Sequence, residues 1–298
     1  MRVLIIGSQG FIGASAYKYF EKQSSNILGV DVVDGIHQQK YYNLSRHKFD
    51  FEQIFKKEQF DVCINASGNG SVPISINRPL FDFELNTYTV VKVLDAIRLH
   101  NSSCKFINLS SAAVYGNPSA LPISETDMLK PLSPYGWHKV YSEQVCREYY
   151  YLYNIQTINL RLFSIYGEGL RKQLFWDIYQ KCMRSKNIEL FGSGEETRDF
   201  IYINDLIYAL DIVIKRGLFN GEAVNVASGV ETTIKEAAEA LCKNIDSSIK
   251  INFNNIVKPG DPLNWRADIT TLKSFGFKGT TSISEGLKNT AKWLKESR

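Results

Sequence analysis

The chain has 298 residues, of which 44% are apolar and 22% charged, and its formal net charge is +4. These values are typical of a globular protein with a substantial core. Charges of both signs are interspersed, which argues against a nucleic-acid or membrane-surface partner, and no apolar stretch approaches the about 20 residues that span a bilayer.

The five cysteines are odd in number, scattered and without a CxxC pair: Cys63, Cys104, Cys146, Cys182 and Cys242. This pattern predicts buried thiols and no metal site. The apolar run near the start of the chain is four residues long, shorter than the about 7 to 15 residues of a secretory signal. We therefore expect a cytoplasmic protein.

Short apolar runs alternate with helical patterns in the first half of the chain. The predicted strands are Arg2 to Ile6, Ile27 to Val32, Val62 to Ala66, Lys105 to Leu109 and Thr157 to Leu160. The predicted helices are Phe11 to Gln23, Phe51 to Lys57, Thr87 to Leu99 and Tyr135 to Tyr153. Apolar strands separated by helices form a parallel sheet covered on both faces, so the predicted fold is α/β, a doubly wound parallel sheet of Rossmann type.

After about Arg161, glycine-rich turns divide the chain into shorter elements, with helical patterns at Ile234 to Lys243 and Ser284 to Lys295. We interpret residues 1–161 as one domain, completed by residues 200–215, and residues 162–298 as a smaller, interleaved C-terminal lobe.

Three glycines, Gly7, Gly10 and Gly13, lie between the first strand and the first helix in GSQGFIG. Glycines there permit a tight turn and a close approach of the backbone to a pyrophosphate, which the helix N-terminus also attracts. The spacing alone is a weak signal, but its place at the first strand-to-helix turn predicts a dinucleotide site.

Asp31 ends the second predicted strand, about 20 residues after the glycines. A carboxylate there accepts hydrogen bonds from the adenosine ribose and repels a 2′-phosphate. No arginine adjoins Asp31 in the sequence. The predicted cofactor is therefore NAD and not NADP.

Tyr135 and Lys139 are four residues apart in SPYGWHK, so they share one face of a helix that Ser133 caps and Pro134 begins. The ammonium is expected to lower the pKa of the phenol and make it a general acid or base. Spacing alone does not establish this, because Tyr88 and Lys92 have it too. The hydroxyl of Ser111 follows a predicted strand and is therefore expected at the carboxyl edge of the sheet, where ligands bind in such folds.

Four segments together resemble the extended short-chain dehydrogenase/reductases, specifically the nucleotide-sugar epimerase/dehydratase family. They are the glycine loop, NLSSAAVYG at 108–116, SPYGWHK at 133–139 and GSGEETRDFIYINDL at 192–206. The resemblance extends over essentially the whole chain. It implies that residues 1–161 bind NAD, that the C-terminal lobe binds a nucleotide sugar, and that Ser111, Tyr135 and Lys139 are catalytic.

The same resemblance implies the remaining site residues. The cofactor would be bound by Gly7, Gln9, Gly10, Phe11, Ile12, Gly13, Asp31, Asn43, Leu44, Ala66, Tyr135 and Lys139. The substrate would be bound by Ser111, Ser164, Arg198, Lys258 and Asp261. Two of these depart from the family pattern, since Ser164 replaces a common asparagine and Lys258 a common arginine.

The residues after Ser111 restrict the chemistry. Family members that dehydrate sugars have an Asp-Glu pair there, where this chain has Ala112 and Ala113, which cannot transfer protons. No cysteine near Ser111 supports the chemistry of GDP-fucose synthase, and His138 is expected to face away from the substrate. The remaining interpretation is a nucleotide-sugar 4-epimerase of surface-polysaccharide biosynthesis, working by hydride transfer at C4.

Alternatives remain open at this point. A nucleotide-sugar 4-ketoreductase or 4-dehydrogenase needs the same residues, a hydroxysteroid dehydrogenase shares the catalytic group, and a dinucleotide sensor would need no catalysis. The resemblance also implies a homodimer through a four-helix interface of Thr87 to Leu99 and Tyr135 to Tyr153, and the ring-rich stretch Tyr149 to Tyr153 suits such a surface.

Overall fold

The structure is a computed structural model that describes residues 1–23, 26–33, 40–47, 50–256, 262–279 and 281–296. Seven strands form one parallel sheet in the order β10-β6-β5-β4-β1-β2-β3. Their bounds are β1 Arg2–Ile6, β2 Asn26–Asp31, β3 Tyr41–Asn43, β4 Val62–Asn65, β5 Lys105–Ser111, β6 Thr157–Leu162 and β10 Asn220–Val226. The predicted doubly wound parallel sheet is confirmed.

Helices lie on both faces of this sheet and also in the C-terminal half of the chain. They are α1 Phe11–Lys22, α2 Glu52–Lys57, α3 Val72–Asn77, α4 Pro79–Phe83, α5 Thr89–His100, α6 Pro134–Tyr153, α7 Gln173–Cys182, α8 Ile203–Arg216, α9 Ile234–Ile245, α10 Thr270–Ser274 and α11 Ile283–Glu296. A π-helical turn, Glu84–Tyr88, leads into α5, and 3₁₀ turns occupy Leu44–His47 and Ala112–Val114.

The remaining strands build two small sheets in the C-terminal half. These strands are β7 Ser164–Tyr166, β8 Asn187–Leu190, β9 Thr197–Tyr202, β11 Glu231–Thr233 and β12 Lys250–Phe253. One sheet has the order β11-β9-β7 and the other pairs β12 with β8.

Alternation along the strands explains why both faces of the main sheet are buried. Val3 and Ile5 of β1 belong to one hydrophobic core and Leu4 and Ile6 to the other, and none of the four is more than 1% exposed. Apolar residues at every position of a strand therefore indicate helices on both sides, as the sequence predicted.

The start of α6 follows its local sequence. The hydroxyl of Ser133 accepts a hydrogen bond from the Gly136 amide at 3.2 Å, and Pro134 occupies the first turn. The helix ends at Asn154, which adopts a left-handed conformation with φ 56°. The cap places Tyr135 in the first turn of the helix.

The chain returns to the main sheet after its excursion into the C-terminal half. Helix α8 packs against α1, and β10 then pairs with β6. Residues 200–215, which the sequence predicted to complete the first domain, include most of α8, and β10 follows them into the sheet. The domain boundary after residue 161 stays a proposal. Across the described ranges, no helix has the length and apolar character to cross a bilayer.

Candidate active site

The glycine turn after β1 is packed too tightly for larger residues at two positions. Gly7 has φ +80°, and a Cβ atom there would lie 2.6 Å from the Ser67 amide nitrogen. A Cβ on Gly13 would lie 2.1 Å from the carbonyl oxygen of Gly7. These glycines let the start of α1 approach the end of β1 and the loop after β4.

The same turn has donors suited to a dinucleotide. Gly10 caps α1 without a side-chain hydrogen bond, so the amides of the first turn, including Phe11 and Ile12, are directed out of the helix end. Gln9 Nε2 is buried and has no hydrogen-bond partner within the described parts of the chain. An orphaned buried amide beside uncapped backbone donors fits a pyrophosphate, which supplies acceptors to both.

Asp31 ends β2 beside this turn. Its carboxylate accepts hydrogen bonds from the Gln9 amide at 2.8 Å and from the Val32 amide at 2.7 Å, which leaves further lone pairs on both oxygens. Asn43 of β3 pairs with Asp31 in the sheet, and buried Leu44 follows it. The predicted ribose-binding carboxylate therefore lies next to the glycine turn.

The adjacent strand completes this edge of the sheet. The Ala66 amide donates to the Ile6 carbonyl at 2.8 Å, just beyond the end of β4. The sheet order changes direction between β1 and β4. In open α/β sheets ligands bind at such a switch point, at the carboxyl ends of the strands.

Ser111, Tyr135 and Lys139 converge at the carboxyl end of β5. The Ser111 hydroxyl accepts a hydrogen bond from the Ala113 amide at 3.1 Å and forms a side-chain hydrogen bond with Tyr135. The Lys139 ammonium donates to the Leu109 carbonyl at 2.9 Å and lies 5.9 Å from the centre of the Tyr135 ring. The structure thus brings the three predicted catalytic residues together.

The protein alone does not make Tyr135 more acidic. Burial raises its pKa, the charge of Asp82 raises it further, and the hydrogen bond from Ser111 lowers it. Burial also lowers the pKa of Lys139 to about 8, while Asp82 and Glu143 oppose this shift. The expectation that Lys139 by itself lowers the phenol pKa is wrong, because desolvation of the phenolate is the larger effect.

His138 forms a buried contact that the sequence did not predict. Its Nδ1 lies 2.5 Å from Asp82 Oδ2 on α4, and its ring lies 5.5 Å from that of Phe83. Asp82 was missed because one aspartate in a five-residue helix forms no recognisable motif.

The predicted substrate residues fall into two groups. Ser164 and Arg198 lie in adjacent strands, since β7 pairs with β9. The Arg198 guanidinium donates to the carbonyls of Thr197 at 2.8 Å and Leu263 at 3.2 Å. Lys258 and Asp261 lie outside the described residues.

Comparisons with known proteins were made at the level of sequence and of fold. A putative UDP-glucose 4-epimerase of Methanocaldococcus jannaschii is 25% identical over 311 residues, which cover 99% of each chain. A UDP-glucuronate 4-epimerase of Thermodesulfobacterium geofontis is 26% identical over 314 residues, 99% of this chain and 96% of that one. The crystal structure of a UDP-glucuronic acid 4-epimerase from Bacillus cereus, in complex with UDP-glucuronic acid and NAD, superposes with a TM-score of 0.89 at 25% identity over 100% of both chains.

The profile of the NAD dependent epimerase/dehydratase family matches residues 3–227. The matched segment begins in β1 and ends just after β10, so it includes every strand of the seven-stranded sheet. An assignment that spans the whole sheet does not depend on any single motif. The chain is therefore an NAD-dependent enzyme and belongs to the NAD dependent epimerase/dehydratase family.

Proposed function

We propose that the protein is a nucleotide-sugar 4-epimerase. The observation that carries this proposal is the convergence of Ser111, Tyr135 and Lys139 at the carboxyl end of β5. Strand β5 pairs with β4, and the loop after β4 contacts the glycine turn. Full-length relatives named as UDP-glucose and UDP-glucuronate 4-epimerases support it.

Each of the three residues has one role. Tyr135 as phenolate takes the proton of the C4 hydroxyl, and Ser111 donates a hydrogen bond to the same oxygen. NAD supplies a hydride acceptor and, as the cationic oxidised ring, a positive charge that favours the phenolate. Lys139, held by the Leu109 carbonyl, binds the nicotinamide ribose. After the 4-keto sugar has turned over, Tyr135 would return the proton to the C4 oxygen while the hydride that the dinucleotide would hold returns to the opposite face, so that C4 is inverted.

The surroundings argue against elimination of water. Ala112 is fully buried and Ala113 follows it in the 3₁₀ turn beside Ser111. Neither side chain can act as an acid or base at the neighbouring carbons. Proton transfer at the C4 oxygen is the chemistry that this set of residues supports.

We assign the binding residues on the same basis. Gly7, Gln9, Gly10, Phe11, Ile12, Gly13, Asp31, Asn43, Leu44 and Ala66 bind NAD, and Ser164 and Arg198 bind the nucleotide sugar, together with Lys258 and Asp261. A guanidinium can form two parallel hydrogen bonds to a diphosphate, which suits the role given to Arg198.

The chain works, we infer, as a cytoplasmic homodimer. The five cysteines are free, which supports a reducing compartment. An exposed stripe follows α6 at helical spacing: Trp137 and Tyr141 are 45% and 44% exposed, and Tyr151 and Leu152 are 64% and 69% exposed. Burial of this stripe against its copy would remove a large apolar area from water. A role in surface-polysaccharide biosynthesis stays a prediction.

Product analysis tests the proposed reaction. The enzyme is incubated with a panel of nucleotide sugars, with and without NAD or NADH, and products are identified by mass spectrometry and proton NMR. A C4 epimer of unchanged mass supports the proposal. A product that differs by two hydrogens would instead show a 4-ketoreductase or 4-dehydrogenase, and inactivity with every sugar would favour a sensor or a hydroxysteroid dehydrogenase.

A further inference from the structure

A fully buried carboxylate, that of Asp82, contacts α6, the helix that bears Tyr135 and Lys139. Asp82 has 0% exposure, and its Oδ1 accepts hydrogen bonds from Asn69 Nδ2 at 2.6 Å and Asn86 Nδ2 at 3.1 Å. Its Oδ2 lies 2.5 Å from His138 Nδ1. Two amide donors therefore contact one carboxylate oxygen, and the imidazole is within hydrogen-bond distance of the other.

These bonds connect the cofactor edge of the sheet with α6. Asn69 lies in the loop after β4, and its side chain also holds Ser71 by accepting from the Ser71 amide at 3.0 Å. His138 directly precedes Lys139, and the Thr87 hydroxyl donates to the His138 carbonyl at 2.9 Å. One carboxylate therefore links the loop after β4, the π-helical turn and the start of α6.

Among the described residues, few titratable groups lie near His138. Helix α4 contributes Asp82, and the titratable groups near His138 on its own helix are Tyr135, Lys139, Tyr141 and Glu143. Glu84 and Tyr88 of the π-helical turn are exposed, α3 has no titratable side chain, and Lys92 and Asp95 of α5 contact Tyr88 and Arg98. Within the described parts of the chain, the carboxylate of Asp82 is the one that contacts the imidazole.

We propose that the hydrogen-bonded pair of Asp82 and His138 positions the start of α6 and sets the electrostatic field at Tyr135. A carboxylate with no exposed surface needs hydrogen-bond donors, and the imidazole is in direct contact with it. The pair acts through Tyr135 and Lys139 and does not touch the reacting atoms. This inference rests on the proposed epimerase function, in which Tyr135 is the acid–base group.

The direction of the effect follows from the charges. Tyr135 acts as a base in its ionised form, so activity is present above its pKa and is lost as the pH falls through that pKa. The negative charge of Asp82 raises the pKa of Tyr135. Removing this charge lowers the pKa and moves the acid limb of the kcat profile to lower pH. Replacing the imidazole by a weaker hydrogen-bond donor, while the carboxylate remains, offsets less of this negative charge and moves the limb to higher pH.

Two variants test the pair in the complete enzyme with its nucleotide-sugar substrate and bound NAD. Asp82→Asn should keep measurable turnover and shift the acid limb down by about half a pH unit or more. His138→Gln keeps an N–H donor to Asp82 and should shift the limb up. Asp95→Asn, a partly exposed carboxylate paired with Arg98 on α5, is the matched control and should leave the limb in place.

A purely structural role would lower thermal stability in both variants without moving the two limbs in opposite directions. An acid limb that Asp82→Asn leaves unmoved overturns the proposal. Should this variant not fold, as judged by circular dichroism, an unmoved limb in His138→Gln overturns it instead. Failure of the proposed epimerisation is distinguishable, because the wild-type enzyme would then form no C4 epimer at any pH.

Discussion

The nitrogen of Lys139 lies 5.9 Å from the centre of the Tyr135 ring and is held there by the carbonyl of Leu109. Lys92 lies at the same 5.9 Å from the Tyr88 ring. The two pairs differ in burial. In the pair of Tyr135 and Lys139 the lysine is 6% exposed, whereas in the pair of Tyr88 and Lys92 the tyrosine is 53% exposed. The equal spacing therefore has two different consequences, one at the sheet edge and one on the surface.

This contrast provides a matched test of the catalytic phenol. We expect Tyr135→Phe to lower kcat by about 10²- to 10⁴-fold, because it removes the acid–base group and keeps the ring. Tyr88→Phe removes a hydroxyl at the same spacing from a lysine and should retain full activity. Turnover is measured by NMR of the epimer. Equal activity of both variants would remove Tyr135 from the mechanism.

The buried ammonium of Lys139 predicts a pH-dependent stability. The folded pKa is about 8, below the ordinary value of 10.5, so the unfolded chain binds this proton more tightly. The cost of burying the charge is fully present below about pH 8 and is relieved as the pH rises towards 10.5.

Thermal or urea unfolding of cofactor-free protein checks this at pH 7 and pH 9.5. The stability of the wild type relative to Lys139→Met should increase between these two values. Loss of the hydrogen bond to Leu109 is common to both pH values and does not affect the comparison. A difference that stays constant with pH would show that the ammonium is not desolvated.

Asp31 should determine both affinity and choice of dinucleotide. Asp31→Asn loses the charged acceptor for the ribose, so we expect NAD binding weaker by about tenfold or more. Repulsion of a 2′-phosphate also falls, so the preference for NAD over NADP should narrow. Isothermal titration with both dinucleotides measures this.

Asp61 supplies the control carboxylate for that titration. It accepts the Arg2 amide at the opposite, amino-terminal edge of the sheet. Asp61→Asn should bind both dinucleotides as the wild type does. A similar loss in the two variants would point to general destabilisation instead of a ribose contact.

The buried pair of Glu143 and Arg161 should stabilise the sheet against α6. The guanidinium contacts the carboxylate at 2.8 Å, and the side chains are 3% and 6% exposed. Because Glu143→Ala leaves a buried arginine without its counter-ion, we expect unfolding to become easier by about 3–5 kcal/mol.

An ion pair of similar length on the surface is the comparison. Glu52 and Lys56 are 2.7 Å apart, and their side chains are 45% and 53% exposed. Glu52→Ala should change the urea midpoint little, because solvent screens the pair. If the two alanine variants unfold at the same midpoint, burial does not determine the strength of the Glu143 pair.

The proposed dimer predicts a change of mass. Leu152→Glu places a charge in the exposed stripe of α6 and should convert dimers to monomers in multi-angle light scattering. Val230→Glu changes a side chain that is 59% exposed, close to the 69% of Leu152, but lies outside α5 and α6. It should leave the mass unchanged. A wild type that is monomeric at micromolar concentration would contradict the interface.

The sequence predicted five strands of the main sheet and the glycine turn. It could do so because the signals for these features are local. A buried parallel strand must be apolar at successive positions, as in Arg2 to Ile6. A helix cap such as Ser133 depends on residues within one helical turn, here Ser133 to Gly136. The sequence did not predict the return strand β10, because the pairing of Asn220–Val226 with β6 joins segments that are far apart in the chain, and periodicity does not show which partner will bury a face.

The amino-acid sequence by itself determined the strands that it named and the glycine turn, since each depends on short-range patterns that can be recognised without knowledge of tertiary contacts. Only the tertiary structure decided the electrostatics. Asp82 and His138 are 56 residues apart in the chain, and the pKa of Tyr135 is raised by burial that several elements create together. Desolvation and charge act through space, so these properties exist only once the chain is folded.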